Sequence, residues 1–573
     1  SEDPFFSGEL AVPYIQGVQS QGVASCVKHF ALNSQAYNQY KVSVEVDERT
    51  LHEIYLPAFE AAIQRGGAMA AMAAYNKVRG LWCTESPYLL DTLLRDELGF
   101  DGLVVSDWNA VHNTERTALC GMDVEMGTSI KENGKYAFNK YYLADPLLKK
   151  VRNGEIPEEA VNKKVRNILK LMIRLDLIGQ APYDTTGMAA KLAIPAHTKA
   201  AREIAEESLV LLKNSKDMLP LDPAQYKNVA VIGANATEVF AAGGGSTKLK
   251  AKYEVTPLEG LQNLLDGKAR IEYAPGYQLS KKAYKVGYWF TNEFDKSDEE
   301  LYKKAIYIGG TSHEHGSDCE GYDKPNLKLP YQQDRLLKGI LEVNPNTVVV
   351  LISGGPVEIG EWYNDATALL HGSFLGMEGG NALARTLFGE VNPSGKLTTT
   401  WCKRLEDMPD HVFGEYPGIN DTVRFKEGLM VGYRYFDTYR VVPLFEFGYG
   451  LSYTTFTYSN IKMKPVWKDS DTEFAVSFTV TNTGKRYGQE IAQLYLHQNK
   501  CSVERPFKEL KGFTKVGLKP GESKQVTIKL PRRALQYYDT ESKRWKDEPG
   551  MFTVLIGASS RDIKLQKDFE LKK

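Results

Sequence analysis

Asp107 is the carboxylate whose neighbours best fit it for chemistry. It follows a short apolar run at residues 103–105, and Trp108 comes directly after it. Such a run is typical of a buried strand in a parallel sheet, and active sites gather at the carboxyl ends of barrel strands. A carboxylate beside an indole suits a sugar ring, because the carboxylate can attack the anomeric carbon while the indole packs on the apolar face. The alternative is that Asp107 caps the following helix, and on position alone the two interpretations weigh about equally.

The elements around Asp107 alternate between strands and helices. The pattern predicts strands at 23–29, 68–75, 102–107 and 121–126, and helices at 47–64, 86–98 and 157–177. This alternation indicates a parallel sheet with right-handed crossovers. Three or four such units are too few for a complete eight-stranded barrel. Either the sheet is open, or the first part of a barrel lies upstream of Ser1, where the chain begins without an initiator Met or a signal peptide. We favour the second alternative.

Two further domains are predicted downstream of this barrel part, which we assign to residues 1–178. We expect a linker at 179–197, an α/β sandwich domain at 198–402, a connecting segment at 403–455 and a β-sandwich at 456–573. The α/β part carries predicted helices at 200–212 and 379–387 and strands at 228–234, 347–353 and 366–372. A helical pattern at 299–305 runs directly into a strand at 306–309, which indicates missing residues, a disordered loop or a small inserted domain. The β-sandwich strands are predicted at 473–481, 490–497, 523–529 and 551–558.

Composition and charge argue against several classes of protein. The 573 residues are too many for one core, so several domains are expected. The net charge of −1, with scattered Lys and Arg, gives no support for a nucleic-acid partner, and no stretch is long and apolar enough to span a membrane. The six cysteines are far apart and irregularly spaced, which argues against a zinc site and against a disulfide scaffold. No nucleotide-binding fingerprint is present, since the glycine-rich stretch at 243–247 is too short.

Five short motifs occur in an order that resembles one family. They are Lys28-His29-Phe30, Tyr75-Asn76, Ser106-Asp107-Trp108, Glu320-Gly321-Tyr322-Asp323 and the FGYGLSY stretch at 447–453. Together they resemble the family 3 glycoside hydrolases, and more narrowly the three-domain β-glucosidase/β-xylosidase branch, over nearly the whole chain. The resemblance implies a TIM-like barrel, an α/β sandwich and a C-terminal fibronectin type III-like domain. It also implies a retaining glycosidase that needs no metal and no cofactor.

The resemblance assigns two catalytic carboxyl groups. Asp107 matches the nucleophile, which should stay ionised. Glu320 matches the acid/base, because the family pattern places that residue directly before Gly-x-Asp. We expect the pKa of Glu320 to be raised by partial burial and by the charge of Asp107. Glu314, in the same acidic loop, is the second choice, and Lys324 stands where the family usually has Arg, so the planar fork of a guanidinium is lost.

Six further residues are predicted to bind the sugar. Lys28 and His29 end a strand and can donate to sugar hydroxyls, and Lys28 can also hold Asp107 ionised. The Tyr75 hydroxyl can hydrogen-bond the nucleophile. The other candidates are Met72 beside the pocket, Trp108 as an aromatic platform and Ser246 on the glycine-rich loop; for each of them, plain core packing or a flexible turn is the alternative. The family's hexosaminidase branch carries a His shortly after Lys-His-Phe, and residues 31–35 contain none, which argues against an N-acetylglucosaminidase.

The sequence thus predicts a retaining exo-β-glycosidase acting on terminal β-D-glucosyl residues. A β-xylosidase or a dual glucosidase/xylosidase is the alternative, and a non-catalytic carbohydrate-binding protein is less favoured because both carboxylates are present. The expected partners are β-glucoside oligosaccharides or aryl glucosides, without nucleic acid or membrane, and a homodimer is left open. A periplasmic or secreted location is favoured over a cytoplasmic one.

Overall fold

The structure, a computed structural model, describes residues 1–127, 130–179, 185–243, 245–247, 249–277, 304–313, 317–468 and 471–572. Its first unit contains the strands β1 Cys26–Phe30, β2 Ser43–Glu45, β3 Ala70–Ala73, β4 Lys77–Val78, β5 Leu81–Trp82, β6 Leu103–Ser106, β7 Lys131–Glu132 and β8 Lys135–Tyr136. The helices are α1 Pro4–Gln19, α2 Glu48–Thr50, α3 Pro57–Glu60, α4 Thr114–Leu119, α5 Asp145–Arg152 and α6 Glu158–Arg174, with wider helical turns at Leu51–Tyr55, Ala61–Arg65 and Tyr88–Glu97. The predicted helix at 47–64 begins as expected, because the Asp47 side chain accepts a hydrogen bond from the Thr50 amide at 2.9 Å.

The strands β1, β3 and β6 form a parallel sheet in that order. Their carboxyl ends lie side by side, since Phe30 pairs with Ala73 and Ala73 pairs with Ser106. Alternate strand residues pack against the covering helices in a buried apolar core, which holds the strand ends side by side.

The predicted strand at 121–126 is wrong as a strand. Only an isolated parallel bridge joins Val124 to Val105 among the described residues. The Asp123 carboxylate accepts from the Val104 amide at 2.8 Å and pairs with Arg95 at 2.8 Å, so a side chain occupies a place that a strand backbone would take.

The second unit is a six-stranded sheet between two layers of helices. Its elements are α7 Met188–Lys191, α8 Pro195–Ser208, β9 Val210–Asn214, β10 Asn228–Ile232, α9 Pro257–Leu265, β11 Arg270–Ala274, β12 Ala305–Gly310, α10 Gln333–Val343, β13 Val348–Ile352, β14 Ala368–Gly372 and α11 Gly379–Leu387. The strand order is β11-β10-β12-β13-β14-β9, with parallel pairing except for the antiparallel β9. The helix predicted at 200–212 is wrong beyond Ser208, because the buried apolar run that follows pairs with β14. Of the helical pattern predicted at 299–305, residues 299–303 lie outside the described residues, and Ala305 begins β12.

The chain then returns to the first unit before it enters the third. This stretch contains α12 Pro409–Phe413, β15 Thr422–Arg424 and α13 Tyr433–Thr438. β15 pairs in parallel with β2 at the edge of a four-stranded sheet ordered β15-β2-β4-β5. The segment therefore packs on the barrel part as an added strand.

The third unit is an antiparallel β-sandwich, as predicted. Its strands are β16 Phe456–Lys468, β17 Asp471–Asn482, β18 Gly488–Gln498, β19 Glu509–Leu518, β20 Ser523–Leu530, β21 Tyr537–Asp539, β22 Arg544–Lys546, β23 Gly550–Gly557 and β24 Ile563–Leu571. One sheet has the order β16-β17-β20 and the other β19-β18-β23-β24, and their inner faces share one apolar core.

A buried polar cluster joins the first unit, the connecting segment and the third unit. Asp3, which caps α1, accepts hydrogen bonds from Arg434 at 2.8 Å and from the Tyr433 hydroxyl at 2.9 Å. The same Tyr433 hydroxyl accepts from the Leu510 amide of β19 at 2.8 Å. Both Asp3 and Arg434 are almost fully buried, so each charge depends on the other for compensation. In the described parts of the chain, no helix has the length and apolar character needed to cross a membrane.

Candidate active site

Asp107 lies directly after β6, at the carboxyl end of the parallel sheet. Its backbone amide donates to the Ala73 carbonyl at 3.0 Å, which fixes it against β3. Its side chain is buried, with the residue 5% exposed, and Oδ1 accepts from the Trp108 amide at 2.8 Å. The next helix, α4, is capped by Asn113. Asp107 is therefore not the cap of the helix that follows it.

The two neighbouring strand ends supply donors to the same carboxylate. His29, near the end of β1, places Nε2 3.2 Å from Asp107 Oδ2. The Tyr75 hydroxyl, just beyond β3, also lies close enough to Asp107 to lower the pKa of its carboxyl group. The Tyr40 ring packs edge-on against Tyr75, with 4.7 Å between ring centroids. Three separate strands thus converge on one carboxyl group, as the parallel sheet predicts.

The surroundings of Asp107 hold its carboxyl group ionised. Burial acts to raise its pKa, but the hydrogen bonds from His29, the Trp108 amide and Tyr75 outweigh burial and lower the pKa below its ordinary value. The Asp107 charge has the opposite effect on Tyr75, whose pKa is raised well above its ordinary value by burial and by this carboxylate. Tyr75 therefore remains a hydroxyl donor at any physiological pH.

Three of the predicted sugar contacts lie around this carboxylate in different environments. Lys28 is exposed beside His29, and its charge acts on Glu320. Met72 is buried on β3, where it pairs with Val105 of β6. Trp108 is 49% exposed, which leaves part of its indole accessible to a ligand. It lines an open cleft with Val124, Glu125, Met126, Gly127, Lys131 and Tyr136.

Glu320 reaches the site from the second unit, on the loop after β12. Its carboxylate is held by Ser246: the hydroxyl donates to Oε1 at 2.6 Å and the backbone amide donates to Oε2. The preceding residue, Gly245, has a φ of +53°, and a Cβ there would meet Glu320 Cβ at 2.8 Å and the carboxylate oxygen more closely still. The sequence predicts a sugar contact for Ser246, but in this structure its polar groups hold Glu320.

The pKa of Glu320 departs from the expectation. The two hydrogen bonds from Ser246 lower it, and the Lys28 charge lowers it further. Burial and the Asp107 charge act to raise it, as expected, but their effect is smaller. The reason is that Glu320 is exposed, so desolvation is weak while both of its oxygens accept hydrogen bonds. These mutual effects also show that Glu320, Lys28 and Asp107 lie close enough to interact electrostatically.

Another carboxylate of the same loop, that of Asp318, is bound to other groups of the second unit. Asp318 accepts from the Gly354 amide at 2.7 Å and from the Thr311 hydroxyl, and it pairs with Lys324 at 2.8 Å. Lys324 therefore keeps an ion pair despite standing where the family usually has Arg. Glu314, the second choice for the acid, lies outside the described residues.

Sequence reasoning missed two residues of this site. A glycine is needed at position 245, because the backbone there is left-handed and Glu320 approaches it closely. The only indication of this in the sequence is that Gly245 directly precedes Ser246. Asp323 belongs to a sequence motif that gives it no role of its own, although its carboxylate holds the Glu320 loop against the first unit. No group of three or more His, Cys, Asp or Glu side chains in the described residues is arranged to hold a metal ion.

Comparison with known proteins agrees with this architecture. Residues 1–171 match the glycosyl hydrolase family 3 N-terminal domain, residues 209–453 its C-terminal domain, and residues 490–560 a fibronectin type III-like domain. A β-glucosidase of Bacteroides ovatus is 42% identical over 99% of this chain and 77% of its own length. An exo-α-(1→6)-L-arabinopyranosidase of Bifidobacterium breve is 34% identical over 98% of this chain and 71% of its own length.

A solved structure gives the same picture. The crystal structure of a β-glucosidase from Streptomyces venezuelae in complex with D-glucose aligns with a TM-score of 0.89 and 30% identity, covering 100% of this chain and 85% of the other. The predicted family and fold class are confirmed by these matches. The chain belongs to glycosyl hydrolase family 3, and it is a glycoside hydrolase with that family's N-terminal and C-terminal domains followed by a fibronectin type III-like domain.

Proposed function

We propose that this protein is a retaining exo-β-glucosidase that removes terminal β-D-glucosyl residues, with Asp107 as nucleophile and Glu320 as acid/base. The observation that carries the proposal is the pairing of Asp107, which is buried, ionised and flanked by His29 and Tyr75, with a second carboxyl group supplied by another unit. Retaining hydrolysis needs two carboxyl groups about 5–5.5 Å apart on either side of the scissile bond.

The reaction has two displacement steps. In the first, an Asp107 oxygen bonds to the anomeric carbon, the glycosidic C–O bond breaks, and Glu320 gives its proton to the departing oxygen. In the second, Glu320 takes a proton from water, the water oxygen bonds to the anomeric carbon, and the bond to Asp107 breaks. The anomeric configuration is inverted twice and therefore retained.

The donors around Asp107 have a defined task in these steps. His29 and Tyr75 place donor groups beside the carboxylate, so that little reorganisation is needed when the new bond forms. They also keep Asp107 deprotonated, which is the form that attacks. The exposed Lys28 can donate to a sugar hydroxyl, and the exposed part of Trp108 offers an aromatic face to the sugar.

Glu320 must carry a proton when the bond breaks, although Ser246 lowers its pKa in the ligand-free site. A leaving-group oxygen that takes the place of the Ser246 hydroxyl removes the largest of the lowering interactions. A bound sugar also excludes water and strengthens the effect of the Asp107 charge, which raises the pKa of Glu320. Substrate binding thus moves Glu320 towards its acid form.

Glucose is the first choice for the terminal sugar, and the β-glucosidase relative supports it. The second candidate is a pentopyranoside such as a β-xyloside. The Bifidobacterium breve relative supports this alternative, because its name refers to an arabinopyranose, and arabinopyranose and xylopyranose both lack the hydroxymethyl group of glucose.

Aryl β-glucosides and aryl β-xylosides, assayed with the intact protein and with Asp107→Asn and Glu320→Gln, test the proposal. We expect the higher kcat/KM with glucoside, and for Asp107→Asn a loss of at least about a thousandfold. Asp101→Asn is the matched control: Asp101 lies just before β6, at the other end of the strand, where it is exposed and paired with Arg174. Near-normal activity of Asp107→Asn would refute the mechanism, and a higher kcat/KM with xyloside would favour the second candidate.

A further inference from the structure

The Asp323 carboxylate joins the Glu320 loop to the barrel part. Its oxygens accept hydrogen bonds from the Ala36 amide at 3.0 Å and from the Tyr37 amide at 2.8 Å. The Tyr416 hydroxyl of the connecting segment donates to the same carboxylate at 3.1 Å. A single side chain of the second unit is therefore bound by two other parts of the chain.

Glu320 lies between two such attachments. On its amino-terminal side, Asp318 is tied within the second unit to Gly354 and Lys324. On its carboxyl-terminal side, Asp323 is tied to the first unit, and only two residues separate Glu320 from it. The position of Glu320 over the barrel is thus set from one side by the second unit and from the other by the first.

The segment that Asp323 contacts is the loop that continues β1, the strand that carries His29. β1 ends at Phe30, directly after His29, and the chain then runs through Ala36 and Tyr37 before it enters β2. This loop is also anchored by the connecting segment, since Asn38 donates to the Asp421 side chain at 2.6 Å and the Ser43 amide donates to the Asp421 carbonyl at 2.7 Å. Asp323 therefore connects the Glu320 loop to the fixed continuation of the strand that carries His29.

We propose that Asp323 is a positioning residue, which acts through Glu320 by holding its loop in register with the nucleophile. The inference rests on the proposed function, because it concerns the placement of the proposed acid/base. Oδ2 of this carboxylate accepts from both backbone amides and from the hydroxyl, while Oδ1 also accepts from the Ala36 amide at 3.0 Å. An amide side chain has one acceptor oxygen, and with that oxygen in the place of Oδ2 its NH₂ group would face the Ala36 amide.

The test compares substrates that differ in their need for acid catalysis. In Asp323→Asn, we expect kcat/KM to fall about 10- to 100-fold for a phenyl β-glycoside, and less than about threefold for the 2,4-dinitrophenyl β-glycoside, whose leaving group departs without a proton. The glycone is the one that the intact protein prefers. Asp421→Asn is the matched control, because Asp421 holds the same loop from the connecting segment. We expect Asp421→Asn to affect both substrates equally and slightly.

A double-mutant cycle shows whether Asp323 acts through Glu320. In a Glu320→Gln background, Asp323→Asn should cost less than about threefold on either substrate, since the group that it positions is already gone. Equal losses on the two substrates in the single variant, or an undiminished loss in the Glu320→Gln background, would overturn the positioning role. If Glu320→Gln itself fails to discriminate between the leaving groups, the acid/base assignment is wrong and the positioning role falls with it. The two failures are therefore distinguishable.

Discussion

Replacing Gly245 by Ala tests how closely the glycine-rich loop controls Glu320. The new Cβ would lie 2.8 Å from Glu320 Cβ and 3.1 Å from its carboxyl carbon, closer than ordinary contacts, which begin at 3.4 Å. The Glu320 side chain must therefore move by about 1 Å, given the usual separation of about 3.5–4.0 Å between carbon atoms. A displacement of this size at a catalytic group can cost about 100-fold in rate. We expect such a loss in kcat/KM for a phenyl β-glucoside.

Gly267→Ala is the matched control for this substitution. Gly267 has a φ of +67°, close to the +53° of Gly245, but no atom of the described residues lies within 4 Å of the place that its Cβ would take. Both variants carry the left-handed strain of an alanine, about 1–2 kcal/mol, and only Gly245→Ala displaces Glu320. The assay is kcat/KM with phenyl and 2,4-dinitrophenyl β-glucosides. The reasoning is refuted if Gly245→Ala loses no more activity than Gly267→Ala, or if its loss is equal on the two substrates.

Two further substitutions test the electrostatics of the site and the junction of the units. Ser246→Ala removes a hydrogen bond that lowers the pKa of Glu320, so the acid form of Glu320 should persist to higher pH. The alkaline limb of the pH profile of kcat/KM should therefore move to higher pH, and an alkaline limb at the same or a lower pH would contradict this. Asp3→Ala leaves the buried Arg434 without its carboxylate, which should cost about 3–5 kcal/mol of stability and lower the thermal midpoint. Glu9→Ala, which breaks an exposed pair on the same helix, should cost less than about 1 kcal/mol, and equal effects of the two would contradict the account.

The sequence predicted the strands that carry the site better than the strands that depend on distant partners. β3 and β6 have apolar runs with turn residues at their ends, and the pattern located both. The pattern assigns the first part of β9 to the preceding helix, because a short apolar run has no period that separates strand from helix. These residues form a strand because they pair with β14, more than 150 residues later in the chain. The strand expected at 121–126 failed for a different reason, since the Asp123 side chain takes the Val104 amide.

The same limit applies to the candidate site. Residues at the ends of parallel strands must meet at one edge, so the approach of Tyr75 to Asp107 followed from its position in the pattern. The contact of His29 with Asp107 did not follow, because the pattern favours Lys28 as the group beside the nucleophile and His29 as a donor to sugar hydroxyls. The direction in which the pKa of Glu320 shifts could not be predicted from the pattern. It depends on Ser246, which is 74 residues away in sequence and reaches Glu320 across two loops of the second unit.

The most direct test of the central claim is to trap the covalent intermediate. A 2-deoxy-2-fluoro-β-glucoside with a 2,4-dinitrophenyl leaving group forms the glycosyl-enzyme but slows its hydrolysis, because the fluorine destabilises the positively charged transition state. After proteolysis, mass spectrometry should find one fluoroglucosyl group, and it should be on Asp107. A label on Glu320 or on any other residue would contradict the assignment, and so would a label in the Asp107→Asn variant.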